Sequence, residues 1–427
     1  MDEIDWYIVL HLFFLNLSFK LAYIKLFPIG ADSFHFLNNA NTKFYSGEFL
    51  YDISQIMNPI TLTIVVFCIG LFIIPLFYAF CRRWIGKPYA TLSTVFLIIS
   101  PLFFYQTQYN WVDKNNICFI FIIIAYWITF YKTDTLKNEI VRIIVLGLWC
   151  LIFNYFWAGF ILLPIICYII LLVKYLKEKN KILSGTIIGL GVLLIILKYK
   201  VITGLIAFFT MVPEKFFISE LVSPLAMPIK FEYFILFGLI FALFKPYLVK
   251  KYKYLFLLYL MTLMGFIVGY RLSIFFIPIA YLWVGILLSS YKPIKACIIA
   301  IPIIILVLIT GQGMYNATQD MSKDMLPIFE HINNDPRHCL ISVWDKGYMF
   351  EYYTNKQIQF KASGAEYQLN YQYFLNNTPS DCIKVFTDKD IDKFIVMMRY
   401  DKLPYNKEDF QIFKDGLTYI GGDYYSS

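Results

Sequence analysis

The sequence predicts a polytopic α-helical membrane protein that ends in a small extracytoplasmic α/β domain. Three observations carry that expectation. Of its 427 residues 59% are hydrophobic, and the mean hydropathy of +0.63 lies far outside soluble globular usage. The apolar residues fall into about eleven runs, most of them near the ~20 residues that a helix needs to cross a hydrocarbon core. After residue 311 the runs stop and ordinary soluble composition takes over, which divides the chain into 1–311 and 312–427.

The runs lie at 6–27, 61–80, 89–105, 116–130, 140–153, 156–173, 183–197, 231–244, 255–268, 272–288 and 294–310. Breaks at Asn154 and Arg271 read as tight hairpins. The first run is long and follows an acidic start, so it reads as a retained span and not as a cleaved leader. Within it, Lys20 reads as reaching for an interface and His11 as a packed polar residue.

The net charge of +8 is not a nucleic-acid footprint, because the basic residues sit in short loops between apolar runs. One alternate set of loops holds sixteen of them: Arg82, Arg83, Lys87, Lys132, Lys137, Arg142, Lys174, Lys177, Lys179, Lys181, Lys245, Lys250, Lys251, Lys253, Lys292 and Lys295. The opposite set holds seven, Lys43, Lys114, Lys198, Lys200, Lys215, Lys230 and Arg271, although two of its loops are much longer. The positive-inside rule therefore places the N-terminus in the cytoplasm and the tail outside. The expected location is the plasma membrane.

Of the eight cysteines, six lie in or beside apolar runs, where the thiol acts as a small buried hydrophobe. Cys339 and Cys382 lie in the tail, and their spacing supports no particular pairing. The tail alternates in texture. A helix is predicted over 322–333, strands over 339–343 and 357–361, a helix over 364–376 and an apolar strand over 393–398. Internal repeats and Gly-rich phosphate loops are absent from the sequence.

With this topology the chemically versatile residues share one side. Asp32 lies in the first outer loop, Asp113 and Asn115 in the second, and Glu220 in the long loop 198–230. Arg271 opens a span, and Trp344, Asp345, Lys346 and Tyr348 follow a predicted strand of the tail. Hard divalent cations such as Mn²⁺ or Mg²⁺ take carboxylate and carbonyl oxygens beside a phosphate ligand. Arginine presents a fixed fork of donors to the same phosphate. Together these groups suit the departure of a lipid phosphate from a sugar.

The order of these stretches resembles the catalytic subunit of oligosaccharyltransferase, in its single-subunit archaeal and bacterial form, an inverting membrane glycosyltransferase of the GT-C fold. Asp32, Asp113 and Glu220 match that family's metal-binding acids, and Asn115 stands where the family has a second acid. Arg271, in Arg271-Leu272-Ser273 ahead of Pro278, resembles the arginine that contacts the donor pyrophosphate. Val343-Trp344-Asp345-Lys346-Gly347-Tyr348 is similar to Trp-Trp-Asp-Tyr-Gly, the motif that holds the acceptor's Ser or Thr, with Val343 and Lys346 as departures. The resemblance implies Mn²⁺ or Mg²⁺, a polyprenyl- or dolichyl-linked glycan donor, an acceptor polypeptide, a lipid bilayer and action as a single subunit, with no nucleic acid. It further implies that Asp32 and Glu220 bond the acceptor amide and weaken its resonance. Trp344, Asp345 and Lys346 then lie on the acceptor side, with Tyr348 by the donor sugar. Asp390 to Met397 fits a further family pattern, and 393–398 works equally well as a core strand.

Two other readings stand beside this one. One is a GT-C glycosyltransferase that takes a polyprenyl-phosphate sugar to a non-protein acceptor. The other is a transporter or scaffold, for which His11 and Lys20 are the mid-span candidates.

Overall fold

The computed structural model describes residues 6–23, 57–107, 115–154, 162–197, 244–268, 272–316, 326–341, 349–350, 352–354, 356–358, 382–387, 418–421 and 424–426. Each predicted run carries a helix except 231–244, of which only Phe244 lies among the described residues. The helices are α1 (Trp6–Ala22), α2 (Pro59–Arg82), α3 (Lys87–Ile99), α4 (Pro101–Thr107), α5 (Asn115–Thr129), α6 (Leu136–Asn154) and α7 (Leu162–Lys177). They continue with α8 (Lys181–Leu197), α9 (Pro246–Lys251), α10 (Lys253–Val268), α11 (Ser273–Leu288), α12 (Pro293–Asn316) and α13 (Leu326–Asn334).

Local chemistry sets the helix ends. Asn58 caps α2 by accepting from the Thr61 N–H at 2.8 Å, and Pro59 occupies the first turn, where no N–H is needed. The predicted run 89–105 is not one helix. Pro101 forbids helical geometry at the residue before it, so Ser100 swings to ψ 119° and α3 stops. The Ser100 hydroxyl then accepts from the Phe103 N–H at 3.1 Å and starts α4. Between α7 and α8, Lys179 takes a left-handed φ of 56° and Asn180 caps the next helix through the Leu183 N–H.

The bundle is organised around α11. Nearly every residue from Ser273 to Leu288 is buried, as expected of a helix that is apolar all round and enclosed by others. Helices α2, α3, α5 and α10 surround it. Contact is close where side chains are small: a Cβ at Gly285 would lie 1.8 Å from Ser93 Oγ on α3, and one at Gly70 2.5 Å from Asn116 Oδ1 on α5. Lipid tails are as apolar as leucine, so such tight packing supplies the association that the hydrophobic effect gives in water.

Outward faces are as apolar as the core. Ile188, Val192 and Ile196 of α8, and Ile294, Ile298, Ile301, Ile305 and Ile309 of α12, stand exposed along whole helix lengths. Exposed stripes of this extent belong against lipid, not water. By length and composition, Pro59–Arg82 and Pro293–Gln312 are sufficient to cross a membrane, and the shorter apolar helices include Trp6–Ala22, Asn115–Thr129 and Ser273–Leu288.

The polar tail carries α13 and five short strands: β1 (Cys339–Ile341), β2 (Gln357–Ile358), β3 (Cys382–Thr387), β4 (Thr418–Gly421) and β5 (Tyr424–Ser426). The sheet order is β2-β1-β3-β5-β4, parallel through the first three and antiparallel at the last two. Ile328, Phe329 and Ile332 of α13 bury against Met349, Phe350, Ile383 and Val385 in a core separate from that of the bundle. Cys339 is disulfide-bonded, a pairing for which the sequence spacing gave no sign. Its register partner across β1 and β3 is Cys382.

Candidate active site

At one end of the bundle α1, α4 and α12 finish while α5 and α11 begin. Four contacts fasten the ends of α1, α3, α4, α11 and α12 together. Lys20 Nζ of α1 donates to the carbonyl of Thr107, the last residue of α4, at 2.6 Å. Gln106 Nε2 donates to Ser273 Oγ, on the first residue of α11, at 3.2 Å. Phe19, Tyr23, Phe104 and Tyr315 pack with ring centroids 5.1 to 5.6 Å apart, joining α1 and α4 to α12. The Tyr315 hydroxyl also bonds the carbonyl of Ile99 at the end of α3.

These ends lead straight into the stretches that the sequence singled out. Chain leaving α1 carries Asp32, and the seven residues 108–114 between α4 and α5 include Asp113. Arg271 precedes Ser273 by two residues, and the tail with Trp344 follows α12. Asp32, Asp113, Glu220, Arg271, Trp344, Asp345, Lys346 and Tyr348 themselves lie outside the described residues. Asn115 is described: it is the first residue of α5 and half-buried, with an amide carbonyl that is a hard oxygen donor. Next to it Asn116 is fully buried, and neither of its amide atoms has a hydrogen-bond partner among the described residues.

The opposite end is cationic. Arg83 stacks on Tyr131 at 4.8 Å, while Lys245 and Lys295 flank the ring of Tyr291 at 4.8 and 5.4 Å. Arg142 pairs with Glu139, which also accepts from the Tyr175 hydroxyl at 2.7 Å. The end where α1 and α4 finish and the end that bears these cationic contacts are thus separate.

Two residues of α1 depart from their expected settings. Lys20 does not reach for an interface; it is 2% exposed and held inside the bundle. His11 is not packed but exposed, its ring bonded to the carbonyl of Tyr7. Neither Lys20, Gln106 nor Asn116 was marked by sequence motifs. The one available signal was the spacing of Asn16 and Lys20, polar residues four apart that share the buried face of α1 with Val9 and Leu12.

No family model matches the chain, and no curated protein matches it. Solved structures do. The Archaeoglobus fulgidus oligosaccharyltransferase in its apo form superposes with a TM-score of 0.62 at 12% identity, over 93% of this chain and 71% of the other. ArnT from Cupriavidus metallidurans, bound to undecaprenyl phosphate, superposes with a TM-score of 0.54 at 11% identity, over 99% and 98% of the two chains. The chain shares their GT-C fold. Other structures of the Archaeoglobus protein hold an inhibitory peptide with a dolichol-phosphate, or Zn and sulfate. Among the described residues here, no group of three His, Cys, Asp or Glu gathers as a metal site. Of the expected metal ligands only Asn115, at the start of α5, lies among the described residues.

Proposed function

We propose that this protein transfers a glycan from a polyprenyl phosphate- or diphosphate-linked donor to asparagine of acceptor proteins, at the outer face of the membrane. The supporting observation is the convergence of α1, α4, α5, α11 and α12 at one end. Four separate stretches of sequence with the family-like acids, arginine and tail motif emerge there. Cationic loops at the other end support a cytoplasmic N-terminus. The disulfide of Cys339 supports an oxidising, extracytoplasmic setting for the tail.

Asp32, Asp113 and Glu220, with the amide oxygen of Asn115, hold Mn²⁺ or Mg²⁺ in this reading. Such an ion, when bound, neutralises charge on the departing lipid phosphate. Arg271 presents its guanidinium fork to the same phosphate. Asp32 and Glu220 accept from the acceptor amide N–H groups and turn the C–N bond out of the resonance that otherwise ties up the nitrogen lone pair. The nitrogen bonds the anomeric carbon as the bond from that carbon to the phosphate oxygen breaks, and the amide proton passes to a carboxylate. Trp344 and Asp345 hold the hydroxyl two residues after the asparagine, Lys346 lies beside the acceptor path, and Tyr348 faces the donor sugar.

A second reading has an observation of its own. The fold is shared with ArnT, whose structure holds undecaprenyl phosphate, as well as with the oligosaccharyltransferase. On that reading a polyprenyl-phosphate sugar goes to a non-protein acceptor. Acceptor peptides with Asn-x-Thr and Asn-x-Ala decide between them. A site built to bond a hydroxyl rejects the analogue lacking it by a large factor. Equal transfer to both peptides, or to neither, removes the protein N-glycosylation reading.

A further inference from the structure

Lys20 is the most unusual charge among the described residues. The residue is 2% exposed, inside a bundle whose core is mostly apolar. Its Nζ lies 5.3 Å from the ring centre of Phe103 and 5.6 Å from that of Phe67, and donates to Thr107 O. No carboxylate bonds it among the described residues. An ammonium has three donors, so one carbonyl and two aromatic faces compensate its burial only in part. A methionine has nearly the same length and would fill this apolar setting without that desolvation cost. Packing alone therefore does not account for a lysine here.

Its contacts account for it. Lys20 lies two residues from the end of α1, and Thr107 is the last residue of α4. The bond between them ties together the two helix ends that lead to Asp32 and Asp113. Charge strengthens that tie, because the free carbonyls of a helix end attract a cation and a charged donor bonds more strongly than a neutral one. Phe103 in turn packs on Phe119 of α5 at 5.3 Å, so the clamp reaches the helix that resumes after residue 114. Asn16, one turn earlier on the same buried face, has both amide atoms without a partner among the described residues. The polar face of α1 thus runs along the inside of the bundle.

We propose that Lys20 is a positioning residue of the catalytic end: its ammonium clamps the end of α4 to α1, the two helix ends from which the chain leads to Asp113 and Asp32. This inference rests on the glycosyltransferase reading for its consequence in catalysis, and on the structure for the clamp itself. Lys20→Met and Lys20→Arg separate the two. In purified full-length protein, Lys20→Met is expected to unfold at the same or a higher temperature than wild type. Its kcat falls at least tenfold with acceptor KM little changed, and amide exchange in α4 (residues 101–107) accelerates. Lys20→Arg, which keeps the charged donor, restores part of kcat. Retained kcat in Lys20→Met overturns the proposal. So does a loss of kcat that tracks a lowered unfolding temperature without a change in exchange at 101–107. If wild type itself transfers nothing, the glycosyltransferase reading fails on its own. Exchange at 101–107 then decides the clamp: faster in Lys20→Met supports it, unchanged overturns it.

Discussion

Gln106 and Ser273, 167 positions apart in sequence, meet as buried side chains with Gln106 Nε2 donating to Ser273 Oγ at 3.2 Å. The contact joins the end of α4 to the start of α11, the most enclosed helix of the bundle. Ser273→Ala leaves the Gln106 amide buried with this bond lost, which costs about 1–3 kcal/mol. A lower unfolding temperature is expected, together with a transfer rate reduced by about that free energy. Unchanged stability and rate would show that the contact is incidental.

Metal dependence follows from the donor set proposed for Asp32, Asp113, Glu220 and Asn115. Transfer is expected to stop in EDTA and to return with Mn²⁺ or Mg²⁺. Asp113→Ala and Glu220→Ala each remove about 10²- to 10³-fold of kcat, the scale of a lost electrostatic stabiliser. Full activity in chelator takes the ion out of the mechanism.

Topology is open to direct labelling. A membrane-impermeant thiol reagent applied to intact cells is expected to reach cysteine placed at Ser33 or Ser219, and not at Lys177 in the last turn of α7. Labelling at Lys177 reverses the orientation and moves the proposed site to the cytoplasm.

The tail carries a pH signature. Hydrogen bonds from Arg337 hold the Asp335 carboxyl down to about 2, at 2.8 Å to Nε and 2.7 Å to Nη2. Lys356 bonds the Asp335 and Arg337 carbonyls close by. A folded-state value below the unfolded one means that the pair stabilises the fold above about pH 4 and loses that contribution as pH falls through about 2. Resistance of the tail to proteolysis by pepsin should drop across that interval in wild type, with a flatter profile in Asp335→Asn. Identical profiles would show that the pair contributes nothing.

The bundle was largely legible because hydropathy is a strong, local signal: helices appear under the described runs, from Trp6–Ala22 to Pro293–Asn316. The division of 89–105 at Ser100 was legible too, had Pro101 been given its effect on the residue before it. In the tail, the expected strand 339–343 appears as Cys339–Ile341 and the helix 322–333 as Leu326–Asn334. β3, β4 and β5 were missed, because Thr418–Gly421 and Tyr424–Ser426 pair through a sheet whose register no short window contains. For the site, the acids and the arginine came from motif order alone. What joins their segments, Lys20 with Thr107 and Gln106 with Ser273, spans 87 and 167 residues and leaves no periodic trace.

Most directly, the proposed activity is tested by incubating purified wild type and Asp113→Ala with a labelled polyprenyl-linked glycan donor, an Asn-x-Thr peptide and Mn²⁺. Wild type should consume the donor and yield labelled glycopeptide, with Asp113→Ala slower by at least two orders of magnitude, the scale expected for a lost electrostatic stabiliser. Donor left intact by wild type, or equal transfer by both proteins, contradicts a glycosyltransferase site built on Asp113.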